Sequence, residues 1–386
     1  MEPTSSTLCS LATELVELVA GRLEADDILA LRLTCRNIQE KTFHLFCCRF
    51  LSCLRTDLSH SSLVRINALS KHRQFRPYVQ SLAFVLGKGV GRDISWDRHP
   101  WGPLSSPVQT EAVRTLRDNL VHNLVRCRSF FVICRYPEGR PGFDHLTVSD
   151  SVAVFFAIIA DCHLPVKTFH LLYSSDRPRP LSMDMRRLPP LLPRQPGFLA
   201  AWSHLQELTV QQYSTLESFP FLLDVILNAP SLRVLRLTLS LHDLSAGFIY
   251  ELAASGSLPQ IQDLSLSRTS LRAGDLRVLL RRLGGSLRAL RLHDVSNVSD
   301  DWESVFEELK SGFPSLNFLL FCCLRVGSSS SRLLTFPALE KTFSASGVPG
   351  QPRLHYSDGL PAPAGLEYAG TVSSEVLGSL QREASI

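Results

Sequence analysis

Apolar residues after Trp202 recur as a triplet, apolar-x-x-apolar-x-apolar, spelled LQELTV, LRVLRL, IQDLSL, LRALRL and LNFLLF. The triplets begin at Leu205, Leu232, Ile261, Leu287 and Leu316, in steps of 27, 29, 26 and 29 residues. Within each, the second and third apolar residues lie two apart, the period of a strand with one buried face. The stretches between them, 221–227, 248–254, 276–283 and 302–309, carry apolar residues at helical spacing. Their ends are marked: Ser245 suits a helix cap, Asp300 with Glu303 suits a capping box, and Gly256, Gly284 and Gly312 follow the ends. One short strand and one helix per unit, repeated at a near-constant period, predicts a solenoid.

The same triplet occurs earlier at Val79, Cys127 and Val166, with steps of 48 and 39 residues that leave room for loops. These read as degenerate units of the same array. Helices are predicted over 110–125 and 150–160, and from about 63 after a cap at Ser61 or Ser62. Residues 87–107 and 176–197, rich in Gly, Pro and Arg, read as loop insertions. After Gly327 the pattern decays, Gly and Pro accumulate, and only 372–383 suits a helix, so a largely unstructured tail is expected.

The chain opens differently. Between Leu11 and Phe50, apolar residues at helical spacing predict three short helices. The first runs from a cap at Thr13 to a left-handed Gly21, the second follows Glu24, Asp26 and Asp27, and the third runs unbroken from Cys35 through Phe50. So few residues cannot bury all their leucines and phenylalanines on one another, which leaves apolar surface for a partner.

Composition narrows the classes. Apolar residues make up 45% of 386 residues, ample for a core, and a formal charge of +4 supplies no field that demands nucleic acid or an anionic membrane. The longest strictly apolar run, 152–160, is far below the roughly 20 residues of a bilayer span. Ten cysteines are few for this length, and a reducing compartment, cytoplasmic and/or nuclear, is expected.

Candidate chemistry is sparse. His44, Cys47, Cys48 and Cys53 lie close enough to suggest zinc, but they lack a Cys-x-x-Cys pair and read better as small apolar side chains on a core helix. Asp161-Cys162-His163 are adjacent and do not face one another as a nucleophile and base must. Gly87, Gly89 and Gly91 lack the strand, helix and Lys-Ser/Thr context of a phosphate loop. Arg177, Arg179, Arg186, Arg187 and Arg194, interleaved with prolines, read as a solvated loop. No catalytic residue, metal or cofactor is assigned, and the chain is read as a non-enzyme.

The residues Leu11-Ala12-Thr13-Glu14-Leu15, the turn 23–27 and the run 29–36 resemble the F-box, in particular that of filamentous-fungal proteins. Ala12 stands where the family usually has Pro, and Phe43 or Phe46 where it often has Trp. The array from Leu205 to Phe321 resembles leucine-rich repeats, without the family's Asn or Cys after the triplet; Thr269 is the nearest substitute. Together these resemblances imply an α/β chain with a three-helix F-box over 9–50. Linker helices and degenerate repeats follow over 51–200, then an irregular leucine-rich-repeat-like solenoid with a parallel concave sheet and outer helices over 201–326, and a cap and tail over 327–386.

The implied function is the substrate-recognition subunit of a Skp-cullin-F-box ubiquitin ligase, which would bind a Skp-type adaptor, through it a cullin, and an unknown protein target. The adaptor contact would use Leu11, Glu14, Leu15, Leu29, Leu33 and Arg36. The alternative is a repeat scaffold with no ligase connection. For the target, strand alternation puts Thr209, Arg236, Ser265, Arg291 and Leu320 in one outward column, with Asp263 and His293 beside it. At a strand spacing of ~4.8 Å the two arginines stand about 10 Å apart, a spacing that suits clamping an acidic or phosphorylated segment.

Overall fold

The computed structural model describes residues 8–87, 90–100, 102–135, 146–174, 183–189, 191–211, 215–239, 244–299, 301–327, 332–337, 339, 352–357, 362–370, 372 and 374–384. Asp300, Gly89, Arg177, Arg179 and most of 340–361 lie outside them.

Four short helices come first: α1 (Thr13–Ala20), α2 (Ala25–Arg32), α3 (Arg36–Lys41) and α4 (Phe43–Phe46), the last running into a π turn at Cys47–Leu51. Strands and helices then alternate: β1 (Cys53–Thr56), α5 (His60–Lys71), β2 (Ser81–Leu86), α6 (Glu111–His122), β3 (Ser129–Arg135), α7 (Val148–Cys162), β4 (Thr168–Ser174), α8 (Pro196–Trp202) and β5 (Glu207–Gln211). The alternation continues through α9 (Phe219–Leu227), β6 (Val234–Thr238), α10 (Leu244–Ala254), β7 (Asp263–Leu271), α11 (Ala273–Leu283), β8 (Ala289–Asn297), α12 (Trp302–Gly312) and β9 (Phe318–Cys322). Short strands β10 (Arg325–Val326), β11 (Arg332–Leu333), β12 (Arg353–Tyr356) and β13 (Pro363–Ala369) precede a C-terminal helix, Ser374–Glu383.

The architecture is α/β, built on one thirteen-stranded sheet in which β1 to β9 pair in parallel and in chain order. Parallel neighbours need a crossover, and the helix after each strand from β1 to β8 supplies it. The triplets set the register. Every apolar residue of all eight is at most 3% exposed, and Leu208, Leu235, Leu264, Leu290 and Leu319 stand in line across five strands. The helices cover them with Leu279, Leu280, Leu283, Phe306 and Leu309, all buried. The early triplets join the same sheet as β2, β3 and β4. Behind them Phe130, Phe155, Phe156, Phe169, Phe198 and Trp202 form one aromatic cluster, whose indole donates to the Val225 carbonyl (2.8 Å).

After the triplet, β7 and β8 bend at Arg268 and Asp294, both at positive φ, and pair again through Thr269–Leu271 and Val295–Asn297. Cys323 takes the same conformation before β10, which continues this second row on β8. Thr269, Val295 and Leu324, three residues after each triplet, are fully buried, and the Thr269 hydroxyl, which donates to Ser267 O (2.9 Å), is the one polar side chain among the three.

Several local expectations are corrected. The third N-terminal helix breaks at Thr42, whose hydroxyl donates to Ile38 O (2.7 Å) and accepts from Arg32 Nη1 (3.0 Å). Gly21 ends α1 in the right-handed region (φ −63°), and Thr13 is its first residue rather than its cap. Ser59 caps α5, and Asp301 caps α12 by accepting from Ser304 N (2.9 Å). Ser245 lies inside α10. Its hydroxyl donates to Ser270 O (2.9 Å) and accepts from Ser270 N (2.8 Å), tying α10 to the second half of β7.

The described part of the C-terminal region is ordered, against the expectation of a loose tail. β13 pairs antiparallel with β9, β12 pairs with β13, and the C-terminal helix packs on α12. Ala364, Leu366 and Tyr368 alternate inward and are buried, and Gly365 lets the two strands close up: a Cβ there would sit 2.8 Å from Cys322 Cα. β12, the last strand in the order, then forms the edge of the sheet, with Arg353 and Tyr356 exposed.

Candidate functional site

The N-terminal helices bury little. Val16, Ala20, Ile28, Ile38 and Cys47 form their interior. Polar ties hold the rest: Lys41 Nζ donates to Cys9 O (2.7 Å) and Leu11 O (2.5 Å), Arg49 Nη1 to Leu23 O (2.7 Å), and Leu45 N to Glu17 Oε1 (3.1 Å). Arg32 donates to Gln39 O (2.8 Å) and lies over the Phe46 ring at 4.2 Å. With positions 16 and 20 turned inward, Leu15, Leu18 and Val19 face out. Together with Leu11, Leu29 and Leu33 they are 37% to 87% exposed, and all six precede residue 34. Among the described residues only eight other large apolar side chains are so exposed, spread over the remaining chain. Glu14 and Arg36 are exposed beside them, Arg36 pairing with Glu40 (3.2 Å).

On the sheet face away from the triplets, the column anticipated from sequence stands in register: Thr209, Arg236, Ser265, Arg291 and Leu320. It runs on through His170 and Phe131 on one side and Glu367 on the other. The arginines are not open receptors. Arg236 pairs with Glu207 and reaches Asp263 (3.7 Å), and Arg291 pairs with Asp263 and lies over the Phe318 ring at 4.4 Å. Two carboxylates therefore alternate with two guanidiniums. His170 adds little charge: burial pushes its imidazole below the ordinary value, Glu207 at 3.7 Å pulls it back, and Arg236 lowers it further. Thr209, expected to point to solvent, does lie on this face but is buried between His170 and Arg236, and its hydroxyl meets no hydrogen-bond partner among the described residues. Ser265 is half-buried and His293 exposed.

A second charged cluster was not legible in the sequence. Asp150, in the first turn of α7, is fully buried. Its carboxylate accepts from Arg98 Nη1 (2.6 Å), Arg187 Nη1 (2.9 Å), Thr147 N (2.8 Å) and Thr147 Oγ1 (2.9 Å). Arg98 and Arg187, with Trp96, His99, Asp184 and Arg186, line a cavity of about 760 Å³. It opens where the chain leaves β2 and β4, beyond the carboxyl ends of parallel strands, where such sheets commonly bind ligands. Arg187, read as a solvated loop charge, is a structural partner of Asp150, while Arg186 and Arg194 pair with Asp184 and Asp224.

The remaining candidates disperse. Asp161 pairs with Arg117 (2.7 Å), Cys162 donates to Ile158 O (3.0 Å), and His163 ends α7 in the left-handed region. His44 faces the Tyr78 hydroxyl (3.3 Å), and burial pushes the Cys47 thiol up to about 11. Among the described residues no group of three His, Cys, Asp or Glu is disposed to hold a metal, and no helix is long and apolar enough to cross a membrane.

Searches of the protein-family models and of the curated proteins find no match for this chain.

Proposed function

We propose that the chain is the target-recognition subunit of a Skp-cullin-F-box ubiquitin ligase. In this reading α1 to α4 are an F-box that docks a Skp-type adaptor, and the βα units behind them form a leucine-rich-repeat-like solenoid that holds the target. The observation that carries the proposal is the concentration of exposed leucines before residue 34, in a chain whose inward-facing triplet leucines are all buried. Exposed apolar patches on an otherwise well-packed chain mark interaction surfaces. Leu11, Leu15, Leu29 and Leu33 supply the apolar contact, and Glu14 and Arg36 its polar rim. Such a role belongs in the cytoplasm or nucleus.

Burying one leucine at an interface contributes on the order of 1.5–3 kcal/mol, so Leu15→Asp with Leu33→Asp should abolish capture of a purified Skp-type adaptor by the full chain. Both side chains are exposed, and the far-UV circular dichroism should not change. Undiminished capture by the double variant removes the assigned surface. No capture by the unaltered chain removes the ligase reading and leaves a repeat scaffold.

The target side of the proposal uses Arg236, Asp263, Ser265, Arg291 and His293. The alternating charges there suit an extended segment that itself alternates in sign; a purely acidic or phosphorylated segment has to displace Glu207 and Asp263 from the arginines.

A further inference from the structure

We propose that Cys9 and Cys35 form a redox modification site, a thiol pair that a hydroperoxide converts to a reversible disulfide. Their sulfurs lie 3.5 Å apart although the residues are 26 positions apart in the chain. The approach is built by the fold. Lys41, at the end of α3, clasps the carbonyls of Cys9 and Leu11, which lays the segment before α1 along α3, and Cys35 immediately precedes that helix. Cys35 is exposed, so a small oxidant reaches it.

Its surroundings favour the thiolate. Backbone N–H groups, Ile38 foremost, and the Cys9 thiol hold the Cys35 pKa below the ordinary thiol value, so more of it is nucleophilic thiolate. Burial works the opposite way on Cys127 and Cys134, and with Cys323 beside it on Cys322, which is pushed up to about 12. The Cys322–Cys323 sulfurs lie 3.6 Å apart, but they belong to chain neighbours, and the Cys322 thiol is pushed up rather than down. Cys48 is as exposed as Cys35 but its sulfur lies against the His44 ring (3.6 Å) rather than a thiol. An accessible, low-pKa cysteine beside a resolving thiol is the arrangement of redox-sensing pairs.

The Cys35 thiolate attacks the terminal peroxide oxygen, the O–O bond breaks, and hydroxide leaves a sulfenic acid. The Cys9 sulfur then attacks the sulfenic sulfur; the S–S bond forms, the S–O bond breaks, and hydroxide takes the Cys9 proton as water. Two thiols and one hydrogen peroxide thus give one disulfide and two waters, and a dithiol reverses the step by exchange.

The linkage falls among Leu11, Leu33 and Arg36. Its effect on an adaptor rests on the function proposed above, whereas its formation does not. The test treats the reduced full chain with one equivalent of hydrogen peroxide, alkylates the remaining thiols, and maps peptides by mass spectrometry. The expected product is a Cys9–Cys35 linked peptide that dithiothreitol removes, with Cys48, Cys127 and Cys322 still alkylated. Cys9→Ser should instead accumulate a dimedone-trapped sulfenic acid on Cys35, and Cys35→Ser should leave Cys9 reduced. If Cys9 and Cys35 remain alkylated to the same extent as Cys322, or if Cys48 oxidises first while they do not link, the proposal is overturned. Adaptor capture by the reduced and oxidised chain is scored separately: failure of the reduced chain to bind removes the ligase reading and leaves the linkage result standing.

Discussion

Replacing Asp150 tests whether the loop cluster at the carboxyl ends of β2 to β4 holds the fold together. The carboxylate is fully buried and serves four donors, two on guanidiniums and two on Thr147. In Asp150→Ala, two hydrogen bonds to charged groups disappear, each worth about 1.5–3 kcal/mol, together with the half of the capping box in which the carboxylate accepts from Thr147, worth about 1 kcal/mol; the cap that Thr147 itself supplies to the backbone of residue 150 remains. The guanidiniums left behind are 20% and 19% exposed, so water regains part of their hydration. The net cost is expected at about 3–5 kcal/mol, the range for removing one partner of a buried pair. Asp150→Asn, which keeps an acceptor but loses the charge, should cost about half of that. Asp150→Ala combined with Arg98→Leu and Arg187→Leu should recover much of the loss, because no unpaired charge remains. The measurement is the urea midpoint at constant slope, with hydrogen exchange over Val148–Cys162 to locate the damage. A cost below about 1 kcal/mol for Asp150→Ala, or a triple variant worse than the single one, refutes the argument.

The repeat register makes Leu290 a fully buried strand residue between Leu264 and Leu319, so Leu290→Ala should cost about 2–5 kcal/mol in urea unfolding, against less than ~0.5 kcal/mol for a surface position. Glu308 accepts from Arg281 (2.6 Å) and Arg277 (3.3 Å), and the Arg281 hydrogen bond leads in holding its carboxyl below the ordinary value. A depressed folded pKa gives stability that is present above the unfolded pKa and lost as pH falls through the folded one. The advantage of the unaltered chain over Glu308→Gln should therefore be full at pH 7 and vanish as the solution is acidified through the carboxylate range; a difference constant with pH contradicts the pairing.

The triplets were legible because they are local. Burial of one strand face demands apolar side chains two residues apart, and a residue three positions earlier enters the core as the chain turns up from the helix, so period and register can be read directly from Leu205 to Phe321. β1 follows the same rule with Leu51, Leu54 and Thr56, and was hidden because Thr56 replaces an apolar residue and buries its hydroxyl on Ser62 (2.8 Å). That apolar surface would be left over on α1 was legible from its excess of apolar residues, but which residues it comprises was not: Val16 and Ala20 take the inner face, which leaves Leu15, Leu18 and Val19 outward.

Only the tertiary structure decided the rest, because each remaining feature depends on who meets whom. The segment Pro363–Ala369 reads as a loop by its Pro, Gly and Ala, and becomes a strand because β9 offers it an unpaired edge. The outward arginines stand where the strand period puts them, yet their state was set by Glu207 and Asp263 on neighbouring strands, two residues away in register and 27 or more in sequence. Asp150 gathers arginines from 52 and 37 residues away, and Cys9 finds Cys35 through a lysine at the far end of the helix that Cys35 precedes. Apolar burial is one-sided and leaves a periodic trace along the chain, whereas ion pairs and thiol contacts join single residues from loops of unrelated length and leave none.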